Sequence, residues 1–188
     1  MKKKINIKNK ISYLYANVKA SILNYDNRKI NFIIAGTQKG GTTALHHYLS
    51  SHQQISFSKI KEVHYFDYEP NFIENKINYK VYRAFFPKKI ADNIMGEATP
   101  IYMWWNNAIE RISEYNPSVK LIIILRNPIK RAYSHWNMER IRNEEKLDFF
   151  DAIISEKERV KISSPYQHRN FSYISRGFYY KQIKNIYK

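Results

Sequence analysis

The chain has 188 residues, with 32 lysines and arginines against 16 aspartates and glutamates, a formal net charge of +16 at pH 7, and no cysteine. The length suits one domain with a substantial core. The lack of cysteine excludes disulfide bonds and cysteine-ligated metal, and it gives no sign of an oxidising compartment. The positive charge favours an anionic partner, which leaves nucleic acid, acidic glycans and anionic lipid as candidates.

Residues 1–29 form a basic N-terminal extension, which we separate from a domain over residues 30–188. The extension holds seven lysines and one arginine against a single acid, Asp26. Its apolar residues have the spacing of a rough amphipathic helix: Ile5, Ile11, Leu14, Val18, Ile22 and Leu23. Such a helix could rest on a membrane surface, rest on a partner, or stay solvated. We expect neither a signal peptide nor a transmembrane span, because no apolar stretch is long enough.

The first element that carries chemistry is a Gly-rich turn between a strand and a helix. Residues 30–35 are apolar enough for a buried parallel strand, and residues 44–49 predict the first turns of a helix. Between them, residues 36–43 read GTQKGGTT. The free N–H groups and the dipole of a helix N-terminus make this turn an anion site. Thr42 stands where a P-loop has its lysine, and Lys39 lies inside the loop, so it would reach a phosphate from another side.

Apolar spacing further along the chain predicts the scaffold. Residues 55–57 predict a short strand, and residues 95–98 predict the end of another. Helical spacing covers residues 79–86 and residues 102–115, each followed by a proline. Residues 142–160 are charged and also have a helical pattern.

A second strand–helix junction has basic chemistry. Residues 119–125 are the most apolar run of the chain and predict a central parallel strand. The strand ends in Arg126, and a helix begins with Pro128 near its first turn. In a nucleotide triphosphatase, such a strand often ends in an aspartate that holds magnesium. Because an arginine stands here, we predict a second anion site, and the two sites together suggest a nucleotide with phosphates at two positions.

At this point the sequence resembles a known family. The pair GTQKGGTTAL (36–45) and LIIILRNPIKRAYSHW (121–136) is similar to the 5′-phosphosulfate loop and the 3′-phosphate motif of PAPS-dependent sulfotransferases. More narrowly, it resembles the carbohydrate branch, which includes heparan sulfate sulfotransferases and bacterial relatives. The resemblance implies an α/β three-layer P-loop-like fold with a central parallel sheet flanked by helices. It also implies transfer of a sulfuryl group from 3′-phosphoadenylyl sulfate (PAPS) to a hydroxyl or amine, with a carbohydrate as the expected acceptor.

The resemblance also implies roles for single residues. Cofactor contacts would come from Gln38, Lys39, Gly40, Gly41, Thr42, Thr43, Arg126 and Ser134. Lys39 would stabilise charge on the bridging oxygen and 5′-phosphate, while Arg126 and Ser134 would hold the 3′-phosphate. Residues 61–66, KEVHYF, resemble the family's K-E-x-H-x-F segment, in which the glutamate is a general base. The predicted catalytic residues are therefore Lys39, Glu62 and His64, with His64 orienting the base or contacting substrate.

Two features depart from the family pattern. Many heparan-type relatives carry E-K-x-P at a strand end where this chain has Glu97, Ala98, Thr99 and Pro100, so a lysine near the sulfate is missing. Glu97 has two open roles, pairing with a basic loop residue or contacting substrate. The family's G-x-Y helix matches residues 174–188, and relatives continue beyond it. We therefore expect the domain to lack its C-terminal part.

Two other functions remain open. A P-loop nucleotide kinase would need a lysine just after the second loop glycine and an acidic strand end, and the sequence has neither. A non-catalytic basic module would bind acidic glycan or nucleic acid through charge alone. We expect a glycan acceptor, no nucleic-acid partner, and a cytoplasmic location, peripheral to a membrane through the basic N-terminus. We assign no metal, because the six histidines show no metal-ligand spacing.

Overall fold

The computed structural model describes residues 7–22, 29–73, 77–87, 93–163 and 167–187, with the backbone alone for residues 7–12. Its strands are β1 (Phe32–Gly36), β2 (Ile55–Phe57), β3 (Ile94–Ala98) and β4 (Lys120–Ile123). Its α-helices are α1 (Ile7–Ile22), α2 (Thr42–Ser50), α3 (Tyr79–Ala84), α4 (Ala108–Tyr115), α5 (Pro128–Ile141), α6 (Phe149–Ile154), α7 (Glu156–Lys161) and α8 (Tyr179–Ile186). Short 3₁₀ turns cover Glu69–Phe72 and Ser175–Gly177.

The four strands form a parallel sheet in the order β2-β3-β1-β4. β1 lies inside the sheet, where Ile33 pairs with Glu97 of β3 and with Leu121 of β4. Because parallel strands run the same way, their carboxyl ends meet at one edge, where open α/β sheets bind ligands. The predicted central parallel sheet is therefore confirmed.

The side chains of β1 alternate between two cores, one on each face of the sheet. Ile33 and Ala35 belong to the larger core, which also takes in residues of α3 and α4. Phe32 and Ile34 belong to a smaller core with Leu45 of α2. Helices therefore cover both faces, which confirms the predicted α/β arrangement of three layers.

A third, smaller core fixes α5 beside the sheet. It joins Ala132 of α5 to Ala152 of α6 and to Tyr173. At the start of α5, the Asn127 side chain accepts a hydrogen bond from the Ile129 N–H group at 3.1 Å. Such a cap typically stabilises a helix by about 1 kcal/mol. The cap and the core together set the direction in which α5 leaves β4.

Helix α1, the described part of the basic extension, packs on the domain through one side. Ala16 is 1% exposed, and the Tyr13 ring meets the Phe85 ring edge-on at 5.2 Å between centroids. The Lys19 ammonium donates to the Ala84 carbonyl at 3.1 Å. The rest of the extension, at residues 1–6 and 23–28, lies outside the described residues. None of the described helices has the length and apolarity that a membrane crossing requires.

Two predicted helices are shorter than their spacing suggests. The pattern over residues 102–115 gives a helix only in α4, because Asn107 has φ of 62° in the left-handed region and a continuous helix cannot pass through it. The helix predicted over residues 142–160 begins later than expected, for the same reason. Asn143 has φ of 60°, and α6 begins only at Phe149.

Candidate active site

The Gly-rich loop makes a tight turn between β1 and α2. A Cβ at Gly40 would stand 2.5 Å from the Ile124 carbonyl oxygen and 2.9 Å from that of Thr37, so only glycine fits. Gly41 precedes α2 with φ of 109°, another position that favours glycine. The Leu45 N–H group donates to the Gly41 carbonyl at 3.2 Å. The N–H groups that precede Leu45 belong to the first turn of α2. The N–H groups of a first helical turn have no acceptor within the helix, so they can bind an anion.

Lys39 lies in this loop among other cations. Its ammonium is 3.7 Å from the Met138 sulfur of α5, and its backbone carbonyl accepts from the Arg126 guanidinium at 3.1 Å. Burial lowers the pKa of Lys39, and the charges of Arg142 and Arg126 lower it further. An anion placed here would meet several positive groups at once. The predicted loop hydroxyls differ in access, since Thr42 is buried and Thr43 is exposed.

The end of β4 and the first turns of α5 form a basic cleft of about 440 Å³, which is the second group of cations at this end of the sheet. Its lining contains both residues predicted to hold the 3′-phosphate, Arg126 and Ser134, and also Lys130 and Tyr133. The hydrogen bond from Arg126 to the Lys39 carbonyl joins this cleft to the Gly-rich loop. The two anion-binding elements predicted from sequence are therefore neighbours.

The loop after β2 brings Glu62 and His64 to the same end of the sheet. Both residues have left-handed backbone conformations, with φ of 60° and 56°. Such conformations cost about 1–3 kcal/mol each and persist only where the surroundings hold them. The Glu62 N–H group donates to the Ala98 carbonyl at the end of β3, at 3.2 Å. The Tyr102 hydroxyl accepts from the Tyr65 N–H group at 3.0 Å. These bonds fix the loop against the β3 end.

Glu62 lies in a line of alternating charges. One carboxylate oxygen is 3.2 Å from the Lys61 ammonium, and the other is 3.3 Å from His64 Nε2. The second ring nitrogen of His64, Nδ1, is 2.9 Å from the Asp67 carboxylate. Since Asp67 has no exposed side-chain surface and Glu62 keeps 32%, the line runs from the interior outward.

These contacts fix the protonation states. Burial alone would raise the pKa of Glu62, but the hydrogen bond and charge of His64, followed by Lys61, outweigh burial and lower this pKa to about 2. Burial alone would lower the pKa of His64, but Asp67 and then Glu62 raise it to about 10. At neutral pH, therefore, Glu62 is ionised and His64 carries its proton. A carboxylate held by a protonated histidine can take a proton from an acceptor group.

Sequence reasoning missed three residues of this network, namely Asp67, Arg169 and Arg176. Asp67 follows directly on the K-E-x-H-x-F segment, so its position was a usable signal. The Arg169 guanidinium donates to the Asp67 carboxylate, and it also donates to the Asp67 backbone carbonyl at 2.5 Å. Arg176 donates to the side-chain oxygen of Gln38. Arg169 lies in no motif, and Arg176 lies in the segment that matches the G-x-Y helix. Neither contact could be predicted from the sequence, because the partners lie about 100 or more residues earlier in the chain.

The structure places Glu97 in the interior, without a basic partner among the described residues, and a contact with substrate stays a prediction. It is completely buried, and no described side chain hydrogen-bonds to its carboxyl oxygens with standard geometry. Burial raises the pKa of Glu97 to about 8, and the nearby hydroxyls of Tyr102 and Tyr82 act in the opposite direction. The carboxyl group is therefore mostly protonated at pH 7, and it neither pairs with a basic residue in the described ranges nor reaches the surface.

Comparison with known proteins decides the family. Residues 29–187 match the family model described as the sulfotransferase domain. The chain belongs to the sulfotransferase family. This membership confirms the resemblance of the two anion-binding motifs, and it disfavours the nucleotide kinase. The roles of the individual residues stay predictions.

The sulfotransferase relatives include proteins from a slime mould and from mammals. The chain is 38% identical over 109 residues to "Membrane-associated sulfotransferase kil1" of Dictyostelium discoideum, which covers 57% of this chain and 22% of that protein. It is 36% identical over 104 residues to "Heparan sulfate glucosamine 3-O-sulfotransferase 5" of Mus musculus, covering 55% of this chain and 29% of the relative. The matched segment thus spans less than a third of these curated relatives.

A solved structure shows the same fold. A sulfotransferase from Alicyclobacillus acidocaldarius superposes with a TM-score of 0.73 at 28% sequence identity. The superposition covers 85% of this chain and 68% of that one. The likeness includes the parallel sheet flanked by helices, so the elements that carry the candidate site belong to a known sulfotransferase scaffold.

Proposed function

We propose that this protein transfers a sulfuryl group from PAPS to a hydroxyl or amine of a carbohydrate. The observation that carries the proposal is the placement of two anion-binding elements and one ionised carboxylate at the same end of the sheet. The Gly-rich loop follows β1, Arg126 follows β4, and Glu62 follows β2. This arrangement suits a donor with phosphates at two positions and an acceptor that must lose a proton.

On the donor side, PAPS would lie across the loop and the cleft. The N-terminus of α2 and the Lys39 ammonium would hold the 5′-phosphosulfate, while Arg126 and Ser134 would hold the 3′-phosphate. Charge-assisted hydrogen bonds of this kind contribute about 1.5–3 kcal/mol each. Lys39 would contribute most in the transition state, because negative charge grows on the bridging oxygen as the sulfuryl group leaves.

On the acceptor side, the attacking oxygen or nitrogen forms a bond to sulfur in line with the leaving oxygen. The bond between sulfur and the bridging oxygen breaks, and 3′-phosphoadenosine 5′-phosphate (PAP) leaves with the bonding electrons. The acceptor proton passes to Glu62. Protonated His64 holds the Glu62 carboxylate in place, and Lys61 limits its movement from the other side.

A glycan acceptor is supported by the relatives and by charge. The mammalian relatives carry the name heparan sulfate glucosamine 3-O-sulfotransferase, and heparan sulfate is an acidic glycan. The chain's formal net charge of +16 suits an acidic polymer. The positive groups around Lys39 and Arg126 would neutralise the donor phosphates, so we expect the same transfer rate with and without added magnesium.

We also propose that α1 holds the protein on the cytoplasmic face of a membrane through anionic lipid. The side of α1 turned away from the domain carries exposed apolar residues: Leu14, Tyr15, Val18 and Ile22, at 67%, 61%, 51% and 73% exposure. The helix itself holds three lysines, Lys8, Lys10 and Lys19, and the whole extension of residues 1–29 holds seven. An apolar stripe beside cationic side chains suits an anionic lipid surface. The slime-mould relative is named as membrane-associated, which supports the proposal.

A transfer assay with the Glu62→Gln variant tests the proposed chemistry. The assay follows sulfate from PAPS onto a heparan-type oligosaccharide by mass spectrometry. We expect kcat to fall by about 10²–10⁴, the usual contribution of a general base, with unchanged PAP affinity. The matched control is Glu110→Gln, which changes an exposed glutamate of α4. A Glu62→Gln enzyme with normal kcat would remove Glu62 as the base.

A further inference from the structure

Arg176 lies buried beside the Gly-rich loop of residues 36–43, which we call the donor loop. It belongs to the turn before α8 and is 1% exposed. Its guanidinium lies 4.3 Å from the centre of the Trp104 ring and donates to the side-chain oxygen of Gln38. Gln38 is the residue before Lys39 in the Gly-rich loop. Arg176 therefore contacts the donor loop directly.

Arg176 is also connected, through a series of contacts, to the predicted base Glu62. Its second terminal nitrogen donates to the backbone carbonyl of Arg169 at 2.7 Å. The Arg169 side chain, which lies 4.3 Å from the centre of the Trp105 ring, donates to Asp67. Asp67 in turn contacts His64, and His64 contacts Glu62. A continuous path of polar contacts therefore runs from Gln38 to Glu62.

The surroundings of Arg176 are unusual for a buried cation. Its hydrogen-bond acceptors within the described ranges are neutral oxygens, of Gln38, His168 and Arg169. Burial, followed by the charges of Arg131 and Arg169, lowers the pKa of Arg176 to about 9. A buried charge with neutral partners is a poor stabiliser of a fold. The planar guanidinium group of Arg176, however, can hold the segments of Gln38 and Arg169 at a fixed distance from each other.

We propose that Arg176 is a positioning residue that couples the donor loop to the acceptor base. It rests on the proposed function, since the coupling needs the donor nucleotide in the Gly-rich loop. When the nucleotide fixes the loop, Gln38 holds Arg176, Arg176 holds the Arg169 backbone, and Arg169 holds Asp67 against His64. Restraint of the loop by the nucleotide is thereby passed on to the Glu62 carboxylate. Trp104 and Trp105 supply the rigid surface on which the two arginines rest.

The test observes His64 directly while PAP is added. Histidine ring signals are recorded by NMR on labelled protein at pH 7, and His64→Gln identifies the His64 signal. In the wild type, we expect PAP to shift the His64 signal. In Arg176→Lys, PAP still binds, with affinity within about tenfold of wild type, but the His64 shift is lost. In Gln38→Ala, which also removes a predicted cofactor contact, the shift is measured at a PAP concentration that saturates the variant, and it is lost there too. Lysine keeps the charge and cannot make both bonds of the guanidinium fork.

The controls separate positioning from general stability. Arg140→Lys changes an exposed arginine that also lies over a tryptophan ring, that of Trp136, outside the path. We expect it to keep the His64 shift. In the transfer assay, Arg176→Lys should lower kcat at saturating PAPS, and adding Gln38→Ala should cause little further loss, because both changes cut the same path. If Arg176→Lys does not fold, the His64 shift in Gln38→Ala alone decides the test.

The possible outcomes are distinct. If the wild type does not bind PAP, the proposed function fails, and the coupling fails with it. If PAP binds and the His64 signal does not move, the coupling is wrong while the proposed function stands. A normal His64 shift in both path variants, or fully additive losses of kcat, would also overturn the coupling.

Discussion

At the scale of single residues, the candidate site is organised by alternating charge. Lys61, Glu62, His64, Asp67 and Arg169 follow one another as cation, anion, cation, anion and cation, each in contact with the next. Each ionised group is thereby stabilised by its neighbours despite burial. Glu62 with a pKa of about 2 is a weak base before reaction, so its contribution must come from position and from being always ionised.

The same line of charges makes stability depend on pH through His64. The pKa of His64 is about 10 in the folded protein, above its ordinary value of 6.5. The stabilisation is therefore complete below pH 6.5 and is lost as the pH rises toward 10, because the unfolded chain releases the proton first. We expect urea unfolding at pH 6, 8 and 9.5 to show a falling free energy of unfolding in the wild type and a flatter dependence in His64→Gln.

The control for this prediction is His52→Gln, which changes an exposed histidine. It should retain the wild-type dependence on pH. If His64→Gln lost as much stability between pH 6 and 9.5 as the wild type does, the assignment of a protonated His64 would be wrong.

At the scale of elements, α1 is the helix with two apolar sides. Tyr13 and Ala16 pack on the domain, while Leu14 and Val18 are exposed. Ala16 lies two residues from Leu14 and two from Val18, and residues two apart in a helix lie about 200° from one another, so Ala16 faces the opposite side from both. The inner side explains why α1 docks on α3. The apolar residues of the outer side contact no other element in the described part of the chain, and we propose that they contact lipid.

Vesicle flotation tests this assignment. Wild-type protein should float with vesicles that contain anionic phospholipid and remain behind with neutral vesicles, and binding should weaken with salt because lysines contribute. The double variant Leu14→Glu/Val18→Glu should lose binding, since it places charge in the apolar stripe. Ile162→Glu, at a residue that is 91% exposed outside α1, should bind like wild type.

Two outcomes would contradict the lipid assignment. Equal flotation of the double variant and the wild type would show that the stripe does not bind lipid. A dimer in sedimentation experiments that the double variant abolishes, without flotation of the wild type, would assign the stripe to a second copy of the chain.

At the scale of the whole molecule, the sequence predicts what depends on local chemistry. The loop with Gly40 and the junction at Arg126 could be predicted, because a strand, a turn and a helix N-terminus are adjacent in the chain. The contacts of Arg169 with Asp67 and of Arg176 with Gln38 could not, since tertiary packing brings these residues together. The early ends of two predicted helices were missed because an asparagine with positive φ leaves no sign in apolar spacing. The division between extension and domain at residue 29 stays a prediction.

The most direct test of the account is calorimetry of PAP binding without magnesium. We compare wild type with Arg126→Ala, which removes a cation of the cleft, and with Lys120→Ala, which removes the same charge at the opposite end of β4. Wild type and Lys120→Ala should bind PAP equally, and Arg126→Ala should bind about tenfold to a hundredfold more weakly, as loss of charge-assisted hydrogen bonds predicts. A folded wild-type protein that does not bind PAP, or an Arg126→Ala variant with full affinity, would contradict the proposed site.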